Sequence, residues 1–192
     1  MIPFPDKKYN IIYADPAWTF KNYNNEKSNS NADHHYKCMS MEDIKKLPVG
    51  DLADKDCVLF MWCTDPLLNK QIEVISSYGF EYKTVGFYWI KENKNKTNST
   101  YWKGTGYWTR CNPEICLLAT KGKPKRVGFN VDKLVFAERD KHSKKPIIIR
   151  NKIVELCGDL PRIELFARQK VDGWDYWGNE VAAGSGLEPP TP

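Results

Sequence analysis

The sequence predicts an α/β fold in one domain, residues 1–180, with a mostly parallel sheet and ligand sites at the carboxyl ends of its strands. Three observations carry this. Short runs dense in aliphatic and aromatic residues alternate with stretches of helical pattern. The 192 residues are 41% hydrophobic and 13% aromatic, which fills one core and leaves little for a second. After Glu180 the composition turns to Gly184, Gly186, Pro189, Pro190 and Pro192, which marks residues 181–192 as a flexible tail outside the fold.

The first strand is expected over Tyr9–Ala14. Ser40 then precedes a helix over Met41–Leu47, with Asp43 three positions on as a capping box and Pro48 as its stop. A strand follows over Cys57–Trp62. Pro66 suits the first turn of a helix that runs to Tyr78, where Gly79 ends it. Strands are expected at Tyr82–Ile90, Ile115–Ala119 and Leu134–Ala137, apolar enough to lie inside a sheet. A third helix begins near Pro146 and ends at Gly158, burying Ile149, Ile153, Val154 and Cys157. The last expected strand is Arg162–Phe166.

Charge is unevenly placed. The chain carries net +5, yet nine Lys and Arg between Lys91 and Arg126 stand against Glu92 and Glu114, so this stretch sums to +7 and the remainder is slightly acidic. Such a segment reads as a local device for an anionic partner. Six cysteines form no Cys-x-x-Cys pair and read as small buried hydrophobes in a reducing compartment. His34, His35 and His142 give no zinc spacing, so no metal is expected. No leader-like or membrane-length apolar run is present, which predicts a cytoplasmic protein without a membrane partner.

Directly behind the first strand stand Asp15, Pro16, Ala17 and Trp18. Adenine N6 is a poor nucleophile because its lone pair is delocalised into the ring. The Asp15 carboxylate and the Pro16 carbonyl are placed to accept its two hydrogens, favouring a pyramidal nitrogen aimed at an electrophilic methyl group, while Trp18 stacks on the base. The same four residues also read as a plain turn, since Asp-Pro starts turns and Trp is often core. Two long polar loops interrupt the pattern, Thr19–Lys37 and Lys91–Arg110. In the second, Tyr101, Trp102, Tyr107 and Trp108 lie among Lys94, Lys96, Lys103 and Arg110, which suits base stacking and phosphate contact. Trp102 and Trp108 are almost equally suited to fold back onto the core.

Further blocks complete a pattern: Tyr36–Ser40; Phe60-Met61-Trp62; Gly104-Thr105-Gly106-Tyr107-Trp108; His142-Ser143-Lys144-Lys145-Pro146; Arg162–Arg168; and Gly173-Trp174 with Trp177-Gly178-Asn179-Glu180. With the Asp15 turn and in this order, they resemble the MT-A family, named for the catalytic subunit of the eukaryotic mRNA N6-adenosine methyltransferase, and within it the compact phage and bacterial adenine methyltransferases. The resemblance runs from about Tyr9 to Glu180. It implies a Rossmann-like fold in permuted order, with the catalytic motif first and the strand and loop for S-adenosyl-L-methionine last. That order accounts for the lack of a Gly-x-Gly loop after the first strand.

By resemblance, Asp15, Pro16 and Trp18 are catalytic, with Asp15 also a cofactor contact. Lys145 meets the methionine carboxylate, Asn179 and Glu180 bind the ribose hydroxyls, and Arg168 lies near the ribose. The strand Arg162–Phe166 pairs beside Tyr9–Ala14, bringing Glu164 and Arg168 close to Asp15. Tyr36 belongs to a substrate-gating loop, and Lys94, Lys96, Lys103, Tyr107, Trp108 and Arg110 face the nucleic acid. Three departures stand out: Ala17 replaces a usual second proline, Gln169–Val171 lack the polar run that contacts the cofactor in the eukaryotic enzyme, and the short stretch ahead of Asp15 does not match the family's upstream acidic segment, part of whose face Phe4 and Pro5 are expected to cover.

The expected activity is methyl transfer from S-adenosyl-L-methionine to adenine N6 in DNA. RNA adenosine, cytosine N4 and a catalytically silent nucleic-acid-binding subunit are the alternatives. Monomer, homodimer and a partner subunit all remain open from sequence.

Overall fold

The computed structural model describes residues 3–18, 39–94, 100–106, 108–139 and 144–178. Among these, seven strands form one sheet: β1 (Tyr9–Ala14), β2 (Ala53–Cys63), β3 (Glu81–Glu92), β4 (Pro113–Lys121), β5 (Leu134–Glu138), β6 (Arg162–Leu165) and β7 (Asp175–Trp177). The helices are α1 (Met41–Lys45), α2 (Val49–Leu52), α3 (Leu68–Ser77) and α4 (Ile147–Cys157). In the sheet the strands lie in the order β5-β3-β4-β2-β1-β6-β7. Every neighbouring pair is parallel except those of β4, which runs against both β2 and β3. The mostly parallel sheet expected from the apolar runs is therefore present, with one reversed strand.

Local chemistry explains the helix ends. The Ser40 hydroxyl accepts the Asp43 N–H at 3.1 Å and caps α1, although the Asp43 carboxylate accepts from that hydroxyl and does not reach back to the backbone. Asp65–Leu67 form a 3₁₀ turn ahead of α3, and Gly79, at φ +77°, takes the left-handed conformation that stops the helix after Tyr78.

Period-two alternation assigns the buried strand residues to one of two cores. Ile12, Leu59, Met61 and Leu117 pack toward α1–α3 with Val74 and Ile75. Ile11, Tyr13, Phe60, Trp62, Phe87 and Trp89 pack toward α4 with Ile149 and Ile153. The outcome is a three-layer sandwich.

Several expectations are corrected. Leu134–Glu138 is an edge strand, with Leu134 and Phe136 half in solvent. Phe166 does not extend the last long strand, because its φ of +60° turns the chain after Leu165. On α4 the inward stripe holds Arg150, while Val154 is only half-buried. The strand β7 and the four-residue α2 were too short to leave a periodic signal. Near the N-terminus the Phe4 ring packs against Trp177 of β7 with centroids 4.5 Å apart.

Register then sets the site. Ala14 pairs with Met61 and with Leu165, so Asp15 emerges at the carboxyl edge between the ends of β2 and β6. Because β4 runs backward, its first residues reach the same edge, with Cys63 opposite Ile115 and Trp89 opposite Glu114.

Candidate active site

At this edge four charged side chains form an alternating chain across the ends of four strands. The Lys145 ammonium, on the segment entering α4, lies 2.8 Å from Asp15 Oδ1 and 3.2 Å from Glu114 Oε2. Glu114 Oε1 is in turn 2.5 Å from the Lys91 ammonium. Indole rings line the chain: Lys145 sits 5.3 Å from the Trp62 ring centre, and Lys91 sits 5.3 Å from that of Trp89 and 5.0 Å from that of Trp102. These rings give each ammonium a favourable π face where water is scarce.

Burial and pairing oppose one another here. Burial alone would lower the Lys145 pKa, but the Asp15 and Glu114 carboxylates raise it above the ordinary lysine value, so it stays protonated. Burial pushes Glu114 up, and the Lys145 and Lys91 ammoniums pull it below the usual carboxylate range. Asp65, at the same edge, is raised by burial and by the Glu114 charge. Cys63 and Cys116, beneath Asp15, are raised by burial and remain neutral thiols.

The Asp15 turn is tightly organised. Its N–H reaches the Leu165 carbonyl at 3.4 Å, and the Pro16 carbonyl accepts the Trp18 N–H at 2.9 Å. Trp18 itself is 7% exposed, and its indole N–H donates to the Trp62 carbonyl at 2.9 Å. The stacking platform expected of Trp18 needs an open ring face, which this side chain does not present. Trp18 packs under the turn as core.

Glu164 is buried one strand away, and both its oxygens are engaged by Arg150, at 2.7 and 2.6 Å. Arg150 Nη1 is buried without a hydrogen-bond partner. Each Glu164 oxygen keeps a second lone pair, so the carboxylate retains accepting capacity. Arg168 lies three residues beyond the end of β6, half-buried. Lys94, Lys103 and Arg110 are exposed on the carboxyl side, and Trp108 is 97% exposed with a left-handed φ of +68°. Trp102 behaves differently, held between Lys91 and Arg139, whose guanidinium is 4.3 Å from its ring centre. Tyr36, Lys96, Tyr107, Asn179 and Glu180 lie outside the described residues, as do His142 and the tail.

The charge count placed Lys91 and Glu114 in a segment for an anionic partner without singling out either as a site residue, and Arg150 was missed as well. A signal existed for each. Lys91 continues the inward alternation Phe87, Trp89; Glu114 shares a strand face with buried Cys116; Arg150 lies three and seven residues before Ile153 and Cys157 on one helix face. A charge on an inward face is the sequence mark of a buried ion pair.

A family model described as MT-A70 matches residues 9–180. The type II methyltransferase M.MunI from Mycoplasma sp is 34% identical, the match covering 92% of this chain and 79% of that enzyme. The N(6)-adenosine-methyltransferase MT-A70-like protein of Drosophila melanogaster is 27% identical over 91% of this chain and 27% of its own length. The N(6)-adenine-specific methyltransferase METTL4 of Mus musculus is 28% identical, over 91% and 38% respectively. The chain thus spans most of the bacterial relative and well under half of these two eukaryotic ones.

Proposed function

We infer the reaction from one premise: the chain belongs to the MT-A70 family of methyltransferases. Its three-layer sheet is a Rossmann-like methyltransferase fold. It methylates the exocyclic N6 of adenine in DNA. The observation that carries this is a carboxylate at the carboxyl edge of a central strand, Asp15, held by one oxygen on Lys145 at 2.8 Å. The DNA assignment leans on the type II methyltransferase, most of whose length the chain spans.

The second Asp15 oxygen is then placed to accept one amino hydrogen. The Pro16 carbonyl, whose other lone pair takes the Trp18 N–H, accepts the second. Both acceptors sit on a turn fixed by Leu165 and Trp18, so little reorganisation accompanies the reaction. With Trp18 in the core, base stacking falls to the exposed Trp108 and to Tyr36 and Tyr107.

The cofactor we assign is S-adenosyl-L-methionine, which supplies an electrophilic methyl group. The donor set fits it. Lys145 has three N–H bonds and two carboxylate partners, leaving one for the methionine carboxylate, while Asp15 offers an acceptor to the methionine ammonium. Asn179 and Glu180 are assigned to the ribose hydroxyls, with Arg168 and Glu164 nearby. The permuted order, the single domain over residues 1–180 and the phosphate contacts of Lys94, Lys96, Lys103 and Arg110 belong to the same reading.

The test is transfer of a labelled methyl group from S-adenosyl-L-methionine to duplex DNA, single-stranded DNA and RNA, followed by nucleoside analysis. The reading requires label in N6-methyldeoxyadenosine. Label confined to cytosine N4 or to RNA, or no label at all, refutes it.

A further inference from the structure

Lys91 is 8% exposed, on the inward face of β3, with its ammonium paired to Glu114. Taking an ammonium out of water costs several kcal/mol unless partners replace the solvent, and an apolar side chain of similar length fills such a place at lower cost. Here the replacement is specific. Glu114 takes the charge, and the rings of Trp89 and Trp102 flank the ammonium. Glu114 is bridging, with one oxygen on Lys91 and the other on Lys145. Lys145 is bridging too, between Glu114 and Asp15. Each link removes a rotational freedom from the next.

At its other end the chain is anchored in the loop that follows β3. The Trp102 N–H donates to the Lys91 carbonyl at 2.9 Å, and the Asn112 side chain donates to the carbonyls of Lys91 and Trp102 at 3.3 and 2.5 Å. Gly104 passes so close beneath Trp102 that a Cβ there would stand 2.4 Å from the indole ring. Arg139 covers the ring from the neighbouring segment. The root of the basic loop is therefore tied to Lys91 by backbone, ring and charge together.

We propose that Lys91 is a positioning residue for methyl transfer: by fixing Glu114 it sets where Lys145 holds the Asp15 carboxylate, and it links the nucleic-acid-facing loop to that carboxylate. This rests on the methyltransferase reading above and goes beyond it by assigning work to two residues that touch neither substrate nor methyl group. Without Lys91, Glu114 faces the Lys145 ammonium, the Asp65 carboxyl and the Cys111 thiol, all at the same edge. Lys145 is then drawn toward Glu114, and Asp15 loses its orientation. Displacing a reacting group by about 1 Å costs on the order of a hundredfold in rate.

The experiment compares the parent, Lys91→Met and Lys91→Met/Glu114→Gln, the last removing both charges together so that no lone buried charge remains. Parent activity is established first as label appearing in N6-methyldeoxyadenosine; its absence refutes the methyltransferase reading and not this one. Steady-state kinetics on duplex DNA should then show kcat lower by about tenfold or more in both variants, with KM for DNA changed less than about threefold. Calorimetry should show S-adenosyl-L-methionine binding weakened about threefold or more, since Lys145 has moved. In Lys91→Met the acid limb of the kcat profile should move to higher pH, because one of the two ammoniums that hold Glu114 ionised is gone. A role in packing alone lowers thermal stability but leaves these readouts unchanged per folded molecule. Parental kcat, cofactor affinity and pH profile in the folded variants would overturn the proposal. If the single variant does not fold, the double variant decides: parental kcat and cofactor affinity in it overturn the proposal equally.

Discussion

Eight of the nine lysines and arginines between residues 91 and 126 are among the described residues, and they divide between the two ends of the sheet. Lys91, Lys94, Lys103 and Arg110 lie at or beyond the carboxyl end of β3, near Asp15. Lys121, Lys123, Lys125 and Arg126 lie at the opposite end, where Lys121 pairs with Cys57 at the beginning of the paired part of β2 and the Lys123 N–H donates to Asp56. At about 3.4 Å per residue, the seven paired residues of β4 put the two groups roughly 20 Å apart. At the carboxyl end Lys94, Lys103 and Arg110 stay exposed, but Lys91 is buried, bridged by Glu114 and backed by the indoles of Trp89 and Trp102. The amino end leaves Lys123, Lys125 and Arg126 in solvent beside Phe129, itself 77% exposed. A run of charge in sequence is therefore two objects in space, and chemistry is expected where charge has been desolvated and held.

That contrast can be broken by mutation. The largest stability loss is expected beneath the carboxyl edge. Arg150→Met leaves Glu164 buried and unpaired and should cost about 3–5 kcal/mol in denaturant unfolding, most of it regained in Arg150→Met/Glu164→Leu. An additive double variant would contradict the pairing. Trp18→Ala should cost about 3–5 kcal/mol through lost packing. If stability holds while DNA affinity falls, Trp18 is a stacking surface after all. Lys145→Ala should weaken S-adenosyl-L-methionine binding by about 1.5–3 kcal/mol in calorimetry, the worth of a charge-assisted contact, with DNA affinity little changed.

Smaller effects sharpen the comparison. Replacing Lys94, Lys96 and Lys103 by Ala should flatten the slope of log affinity against log salt on duplex DNA by about 2–3 units. The matching triple at the amino end, Lys123, Lys125 and Arg126 to Ala, should leave that slope alone and shift stability by less than about 0.5 kcal/mol. The reverse result would move the nucleic-acid face to the other end of the molecule. An unchanged slope in both would turn attention to Arg139, Lys141 and Lys144.

The charge chain also predicts how stability depends on pH. Glu114 has a depressed pKa, so its contribution is complete above the ordinary carboxylate range and is lost as pH falls through the lowered value. Lys145 has a raised pKa, so its contribution is complete below the ordinary lysine value and is lost only as pH rises past it. Denaturant titrations of the parent and Glu114→Gln should therefore converge in acid.

Long periodic elements were legible in the sequence. β1, α3 and α4 begin and end within a residue or two of their expected limits, because caps, prolines and glycines set those limits locally. The Asp15 turn drew notice because a carboxylate, a proline and a large aromatic directly follow a buried strand, whereas Lys145 was singled out by the family resemblance alone, since a lysine ahead of a helix is ordinarily a solvated charge. Lys91 and Glu114 were not, since their meaning depends on β4 running backward, a long-range pairing that no local pattern encodes. Trp18 was ambiguous for a related reason: a tryptophan after a strand is core or platform according to what packs on it, and here the Trp62 carbonyl settles its indole inward.

Asp15 is where the two halves of the account meet, and single-turnover methyl transfer by Asp15→Asn tests it most directly. The asparagine keeps the shape of the side chain but loses the charge toward Lys145 and can turn a donor toward the substrate amine. Transfer of labelled methyl to adenine N6 in duplex DNA should fall by about a hundredfold or more, with DNA affinity and thermal midpoint near those of the parent. Transfer at the parental rate would contradict the placement of the reacting amine at the end of β1.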